Sequence, residues 1–190
     1  AVGRYLSTLP ANATVLITPQ FEHHSAVKLI GRGHPYSTLN PAEDMPYRRT
    51  LTGGAPYLVH VGDRRNYKNF RTVLKAFCRA AKDTDRHLVV LGGRHALGED
   101  EVDWAIAANA LDRIHYRPRV DDATLRLAYA GADAMVHASL MEGFGIPVIE
   151  ALACGTGLIL SDIPVYREIA DGRAVFVEAG DVEAWSQAMV

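Results

Sequence analysis

The chain has 190 residues, 48% of them hydrophobic, and a formal net charge of −2. That length and apolar content suit one well-filled core, while the balanced charge excludes the basic excess expected of a nucleic-acid binder, and no apolar run is long enough to span a membrane. The two cysteines, Cys78 and Cys154, each fall in an apolar helical context and read as buried thiols of a reducing compartment, neither a disulfide nor a metal site.

Residues 1–55 read as an irregular segment, a linker or the remnant of another domain. A strand is expected over 15–17 and a short helix over 25–30, with loop over 31–56, where Gly and Pro are frequent. The start lacks the basic and apolar order of a signal peptide, so the expected location is cytoplasmic or at the inner membrane face. His23, His24 and His34 lack metal-ligand spacing. Gly31-Arg32-Gly33 has Tyr36 where a dinucleotide fingerprint needs its third glycine, and no strand leads into it.

From Pro56 onward the pattern becomes regular. Strands are expected over 57–61, 87–91, 114–116, 134–138, 158–160 and 174–177. Helices are expected over 70–82, 99–110 and 121–130, after Pro147, after Pro164, and from Asp181 to the last residue. That last helix has no capping residue, as in a chain cut there. Strands alternating with helices predict an α/β domain over 56–190, a doubly wound, mainly parallel Rossmann-like sheet of about six strands. Ligands of such sheets sit beyond the carboxyl ends of the strands. Those ends carry Gly62-Asp63-Arg64-Arg65-Asn66-Tyr67-Lys68-Asn69, then Gly92-Gly93-Arg94, then Arg117 to Asp122, then Glu142 to Gly145.

The last of these ends opens the most informative stretch, SLMEGFGIPVIEALACG over 139–155. Gly143 and Gly145 permit a sharp turn and close approach of a ligand, Pro147 suits a first helical turn, and Gly155 suits a left-handed cap. The amides from Phe144 to Val148 would then face outward without intrahelical partners, a setting that favours phosphate. Glu142 and Glu150 frame the loop, and a carboxylate suits a vicinal diol. The same two acids are equally at home as a strand end and as a favourable charge in a first helical turn. Lys68, Arg64 and Arg65 lie on a loop expected to face this helix start. They offer a metal-free way to meet charge developing on a leaving diphosphate.

EGFGIPVIEALACG, with LRLAYAGADAMVHAS before it and LILSDIPVYREIA and FVEAGDVEAW after it, resembles the donor-site signature of retaining GT-B glycosyltransferases of family 4. The resemblance covers residues 56 to 190. It implies the carboxyl-terminal, nucleotide-sugar-binding domain of a hexosyltransferase that works with retention, without metal or cofactor, in cell-surface polysaccharide biosynthesis. It further implies that Lys68 binds the donor diphosphate. An arginine usually follows the strand glycine; Asp63 stands there, leaving Arg64 or Arg65 to take over. Glu142 would meet the hydroxyls of the sugar as the catalytic-site glutamate, and Glu150 would hold the ribose diol. Gly143, Phe144, Gly145, Ile146 and Pro147 would supply backbone contacts, with Gly93 on the neighbouring rim and Val120 and Asp122 bordering the base. The implied partners are a UDP-, GDP- or ADP-linked sugar and a saccharide or lipid-linked acceptor. Any peripheral membrane contact would run through the missing acceptor-side domain. Alone, the chain is expected to bind donor and to turn over poorly. A silent nucleotide-sugar-binding module, a nucleotide-sugar epimerase and a polysaccharide synthase are the alternatives. A dinucleotide dehydrogenase is disfavoured by Val148 at the third-glycine position.

Overall fold

A computed structural model describes residue 48, residues 50–64, residues 66–93 and residues 96–190. The expected strand over 15–17, the helix over 25–30, His23, His24 and His34, and Gly31-Arg32-Gly33 all lie outside the described residues, as do Arg65 and Arg94.

Six strands form one parallel sheet: β1 (Tyr57–Val61), β2 (His87–Leu91), β3 (Ile114–Arg117), β4 (Ala134–His137), β5 (Gly157–Ser161) and β6 (Val175–Val177). Their spatial order is β3-β2-β1-β4-β5-β6. The chain therefore winds outward from β1 to β3, returns to the centre, and winds the other way from β4. The reversal leaves a crevice between the carboxyl ends of β1 and β4, the place where such sheets take ligands. Pairing of β1 with β4 runs over Leu58↔Ala134 and Val59↔Met135, short of the register of its other neighbour, Tyr57↔His87 to Val61↔Leu91.

Each helix follows from local chemistry. In α1 (Phe70–Ala80), Phe70, Val73, Leu74, Phe77 and Ala80 make one buried stripe. The α2 helix (Glu99–Ala107) opens with three acids, which suit the positive end of its dipole. Asp121 and Asp181 cap α3 (Asp122–Ala130) and α6 (Val182–Ala188), accepting from the amides of Thr124 and Ala184. Proline stands in the first turn of both α4 (Ile146–Ala153) and α5 (Pro164–Ala170). The α4 helix closes through Cys154 into Gly155 at φ 74°, the left-handed cap expected there.

Alternation along the strands sends side chains to two cores. Tyr57, Val59, Met135 and Leu160 pack with Tyr129, Val148, Ala151 and Tyr166 from α3, α4 and α5. Leu58, Val90, Val136 and Ile159 pack with Phe70, Phe77 and Trp185 from α1 and α6. Neither cysteine is in a disulfide; Cys154 is buried as expected, whereas Cys78 is only half-buried, and that burial pushes its thiol up to about 11, which keeps it protonated and unreactive near neutrality.

Besides shifts of one or two residues at element ends, as in α1, which stops at Ala80 where 82 was expected, the sequence expectation is corrected in three places. Residues 50–52, read as loop, are helical, and the cause is tertiary. Leu51 is buried in the first core, and the Thr52 hydroxyl lies 3.1 and 2.7 Å from the carbonyls of Arg48 and Ala55. Arg48 donates to the Gly131 carbonyl at 2.6 Å and to Asp133 Oδ1 at 2.8 Å. The α2 helix ends three residues early, because Asn109 turns to φ 51°. The α6 helix closes at Ala188 with Met189 as its cap, and Arg86 then donates to the carbonyl of Val190 at 2.6 Å.

Candidate functional site

The walls of the β1/β4 crevice are two short connections tied together. A 3-10 turn, Asn66–Lys68, follows β1, and the loop Ser139 to Gly145 follows β4. The Leu140 amide donates to the Tyr67 carbonyl at 2.8 Å across the gap. That link brings Lys68 against Glu142: Nζ lies 2.6 Å from Oε1, with the two side chains only 11% and 8% exposed. The same Oε1 accepts from Ser139 Oγ at 2.8 Å and from the Tyr166 hydroxyl at 3.0 Å. Three donors therefore converge on one carboxylate oxygen, and none is described at Oε2.

Behind this cluster lie two histidines that the sequence reading did not single out. The ring centroids of His60 and His137 are 5.1 Å apart, and both side chains are fully buried. His60 Nδ1 lies 3.0 Å from the Val136 carbonyl, and His137 Nδ1 lies 2.5 Å from the Tyr166 hydroxyl. A carbonyl only accepts, so His60 carries its proton on Nδ1. Tyr166 spends its one proton on Glu142, so the His137 Nδ1 also donates. Burial holds His60 down at about 4, helped by the nearby Lys68 and Arg64 cations and opposed by its bond to Val136. Burial likewise keeps His137 well below the ordinary histidine range, with His60 and Lys68 adding to the effect. The Tyr166 phenol is pushed up by burial and by Glu142 beside it, so it stays a donor. A sequence signal for the pair did exist: each strand flanking the reversal places a histidine in an otherwise apolar run, YLVHV and AMVH.

The glycine loop enters α4 through Gly145, which holds φ 68°. A Cβ there would lie 2.9 Å from Ile169 Cδ1 and 3.3 Å from Tyr166 Cε1, so glycine is required on two counts. Gly143 differs: it has no positive φ, and a Cβ would meet nothing within 4 Å. The outward amides are fewer than expected. Val148 donates to the Gly145 carbonyl at 2.9 Å, and Pro147 has no N–H. At the helix mouth, the amides of Gly145 and Ile146 show no backbone acceptor. Phe144 is half-buried beside them. Glu150 projects from the next turn of α4 and accepts from the Tyr129 hydroxyl at 3.1 Å.

Other expected site residues lie on the neighbouring rim. Arg64 reaches toward α2: Nη1 is 3.1 Å from Glu101 Oε2, Nη2 is 2.6 Å from the Ala96 carbonyl, and the guanidinium sits 5.2 Å from the rings of both Phe70 and Tyr116. These contacts tie it to the β2–α2 loop. Gly93 holds φ 81° and accepts at its carbonyl from the Tyr116 hydroxyl at 3.1 Å. Val120 packs on the first core, and Asp122 is exposed in the first turn of α3. Among the described residues no group of three or more His, Cys, Asp or Glu side chains could hold a metal, and no helix is long and apolar enough to cross a membrane.

Comparison with known proteins places this architecture. The chain is 30% identical over 133 residues to the O-antigen chain mannosyltransferase RfbU of Salmonella typhimurium, covering 70% of this chain and 37% of that protein. It spans about two fifths of the length of such curated relatives. Its fold superposes on Anabaena HepE in complex with UDP and glucose with a TM-score of 0.70 at 16% identity, covering 81% of this chain and 43% of that one. The carboxyl-terminal domain of the group 1 glycosyl transferase LpcC from Francisella tularensis gives 0.66 at 20% identity, covering 80% of this chain and 82% of that one. These structural neighbours are GT-B glycosyltransferases, and the six-stranded parallel sheet is the Rossmann-like half that they share. The family model described as glycosyl transferases group 1 matches residues 44–189, and the chain belongs to that family.

Proposed function

We propose that this chain is the donor-binding half of a glycosyltransferase that moves a hexosyl unit, with retention and without metal, from a nucleotide-diphosphate sugar to a saccharide or lipid-linked acceptor. The observation that carries the reading is the Lys68–Glu142 pair set at the mouth of α4. An ammonium has three donors, and one of them is engaged by Glu142, so Lys68 keeps two for a diphosphate. The amides of Gly145 and Ile146, with the α4 dipole behind them, meet the same anion. As the sugar–phosphate bond breaks, these groups stabilise the charge left on the diphosphate. Glu142 Oε2 turns to the hydroxyls of the sugar. Glu150, one turn further along the helix, takes the ribose diol.

Mannose is the hexose favoured by the name of the Salmonella relative, and the O-antigen in that name favours cell-surface polysaccharide synthesis as the setting, with the chain placed in the cytoplasm or at the inner membrane face. Calorimetric titration with GDP, UDP and ADP, their monophosphates, GDP-mannose and UDP-glucose tests the site. Diphosphates are expected to bind more tightly than monophosphates; equal affinities would overturn the assignment. Asp63 at the usual arginine position, with Arg64 engaged by Glu101 and Ala96, favours a second reading, a module that binds donor without turnover. Donor hydrolysis by the chain, slow but measurable and lost in Glu142→Ala, separates the first reading from the second.

A further inference from the structure

Glu142, in the glycine loop, is held from behind by a side chain that comes from the α5 helix. Tyr166, in α5, is completely buried and touches the glycine loop twice. Its hydroxyl donates to Glu142 Oε1 at 3.0 Å, and its ring edge lies 3.3 Å from where a Cβ would stand on Gly145. With the hydroxyl proton directed at Glu142, the lone pair on the phenol oxygen faces His137 Nδ1, 2.5 Å away, and a proton carried on Nδ1 holds the hydroxyl in that orientation. His137 itself ends β4, three residues before the loop begins to turn at Leu140. With Ser139 and Lys68 on the same oxygen, Oε1 carries three donors and Oε2 is the oxygen that keeps acceptor capacity.

We propose that the His137–Tyr166 pair is a positioning device for the sugar subsite: it fixes the carboxylate plane of Glu142 so that Oε2 faces the hexose of a bound nucleotide sugar. The proposal rests on the donor-site reading above. It assigns these two residues a part in recognising the sugar and none in holding the nucleotide, because their hydrogen bonds converge on Glu142. Neither is a catalytic residue, since both act through Glu142.

The test is the affinity gained from the hexose, measured by titrating the chain with GDP and GDP-mannose in parallel, and with UDP and UDP-glucose. Tyr166→Phe keeps the packed ring and removes only the hydroxyl. Affinity for the bare diphosphates should stay within about two-fold, while the gain from the sugar should fall roughly ten-fold, the order expected when one hydrogen bond to a charged acceptor is lost. His137→Leu removes the Nδ1 donor and should show the same selective loss, and His137→Asn, which retains an N–H near that point, should restore it. Glu142→Ala should abolish the gain, and adding Tyr166→Phe to it should change nothing further. An undiminished sugar gain in both Tyr166→Phe and His137→Leu would overturn the inference while leaving the donor site intact. A wild-type chain that binds diphosphates yet gains nothing from the hexose would instead remove Glu142 from the sugar subsite, and the inference with it. Should Tyr166→Phe unfold, the His137→Leu and His137→Asn pair decides the matter alone.

Discussion

The two ends of β4 hold acidic side chains put to opposite uses. Asp133, just before the strand, gives one oxygen to Arg48 at 2.8 Å and the other to Arg86 at 3.0 Å. Glu142, beyond the other end, gathers Lys68, Ser139 and Tyr166 on a single oxygen. Similar donor chemistry thus produces a closed clasp at one end and a half-open carboxylate at the other. A carboxylate with both oxygens spent on arginines has little left for a ligand. One whose donors crowd onto Oε1 is held still and keeps acceptor capacity. What separates structural from functional ion pairs here is which oxygens are used.

The histidines give the largest expected test of that contrast. His60 is held at about 4 in the folded state against 6.5 for the free side chain, so only the unfolded chain takes up its proton as the pH falls between those values. Stability is therefore complete above pH 6.5 and declines toward pH 4, by on the order of 3 kcal/mol from this residue. Urea unfolding across that window should show the decline, and His60→Leu should flatten it. At the entry end of the sheet, the stacked His87 and His115 are lowered mainly by milder burial, so His115→Gln should flatten it less. Equal flattening by the two variants would erase the distinction between the ends.

Lys68→Ala should lower affinity for nucleoside diphosphates roughly 10- to 100-fold and reduce their preference over monophosphates, as read by calorimetry. Glu150→Ala should cost about ten-fold with ribonucleotides. In that variant a 2′-deoxy diphosphate should bind as well as its ribose parent, whereas the wild type should favour ribose. The smallest effect belongs to the clasp. Asp133→Asn weakens two partly exposed pairs and should cost about 1 kcal/mol, or roughly 2–4 °C in Tm, with nucleotide affinity unchanged. A fall in affinity there would mean that the two ends are not separable.

Much of this could be read from residues in order. YLVHV, HLVVL and GLILS are buried strands whose apolar runs stand out, and Asp121, Pro147 and Asp181 mark helix starts in the sequence. Lys68 and Glu142 were both visible as strand-end residues, and the sheet order explains why 74 positions of sequence close to 2.6 Å. The helical turn at 50–52 was hidden because its support comes from Asp133 and Gly131, far along the chain. The service of Arg64 to Glu101 was hidden for the same reason: a cation on a loop reads identically whichever way it leans. Tyr166 and His137 looked like ordinary core residues, since nothing local reveals that their polar atoms meet beneath Glu142.

The clasp at Asp133 has a practical corollary. Arg86, one of its two arms, also donates to the carbonyl of Val190, holding that residue near the ends of the strands opposite the β1/β4 crevice. A fluorophore placed at Val190 would therefore sit across the sheet from Lys68 and Glu142, so the titrations above could be followed with a label held away from both.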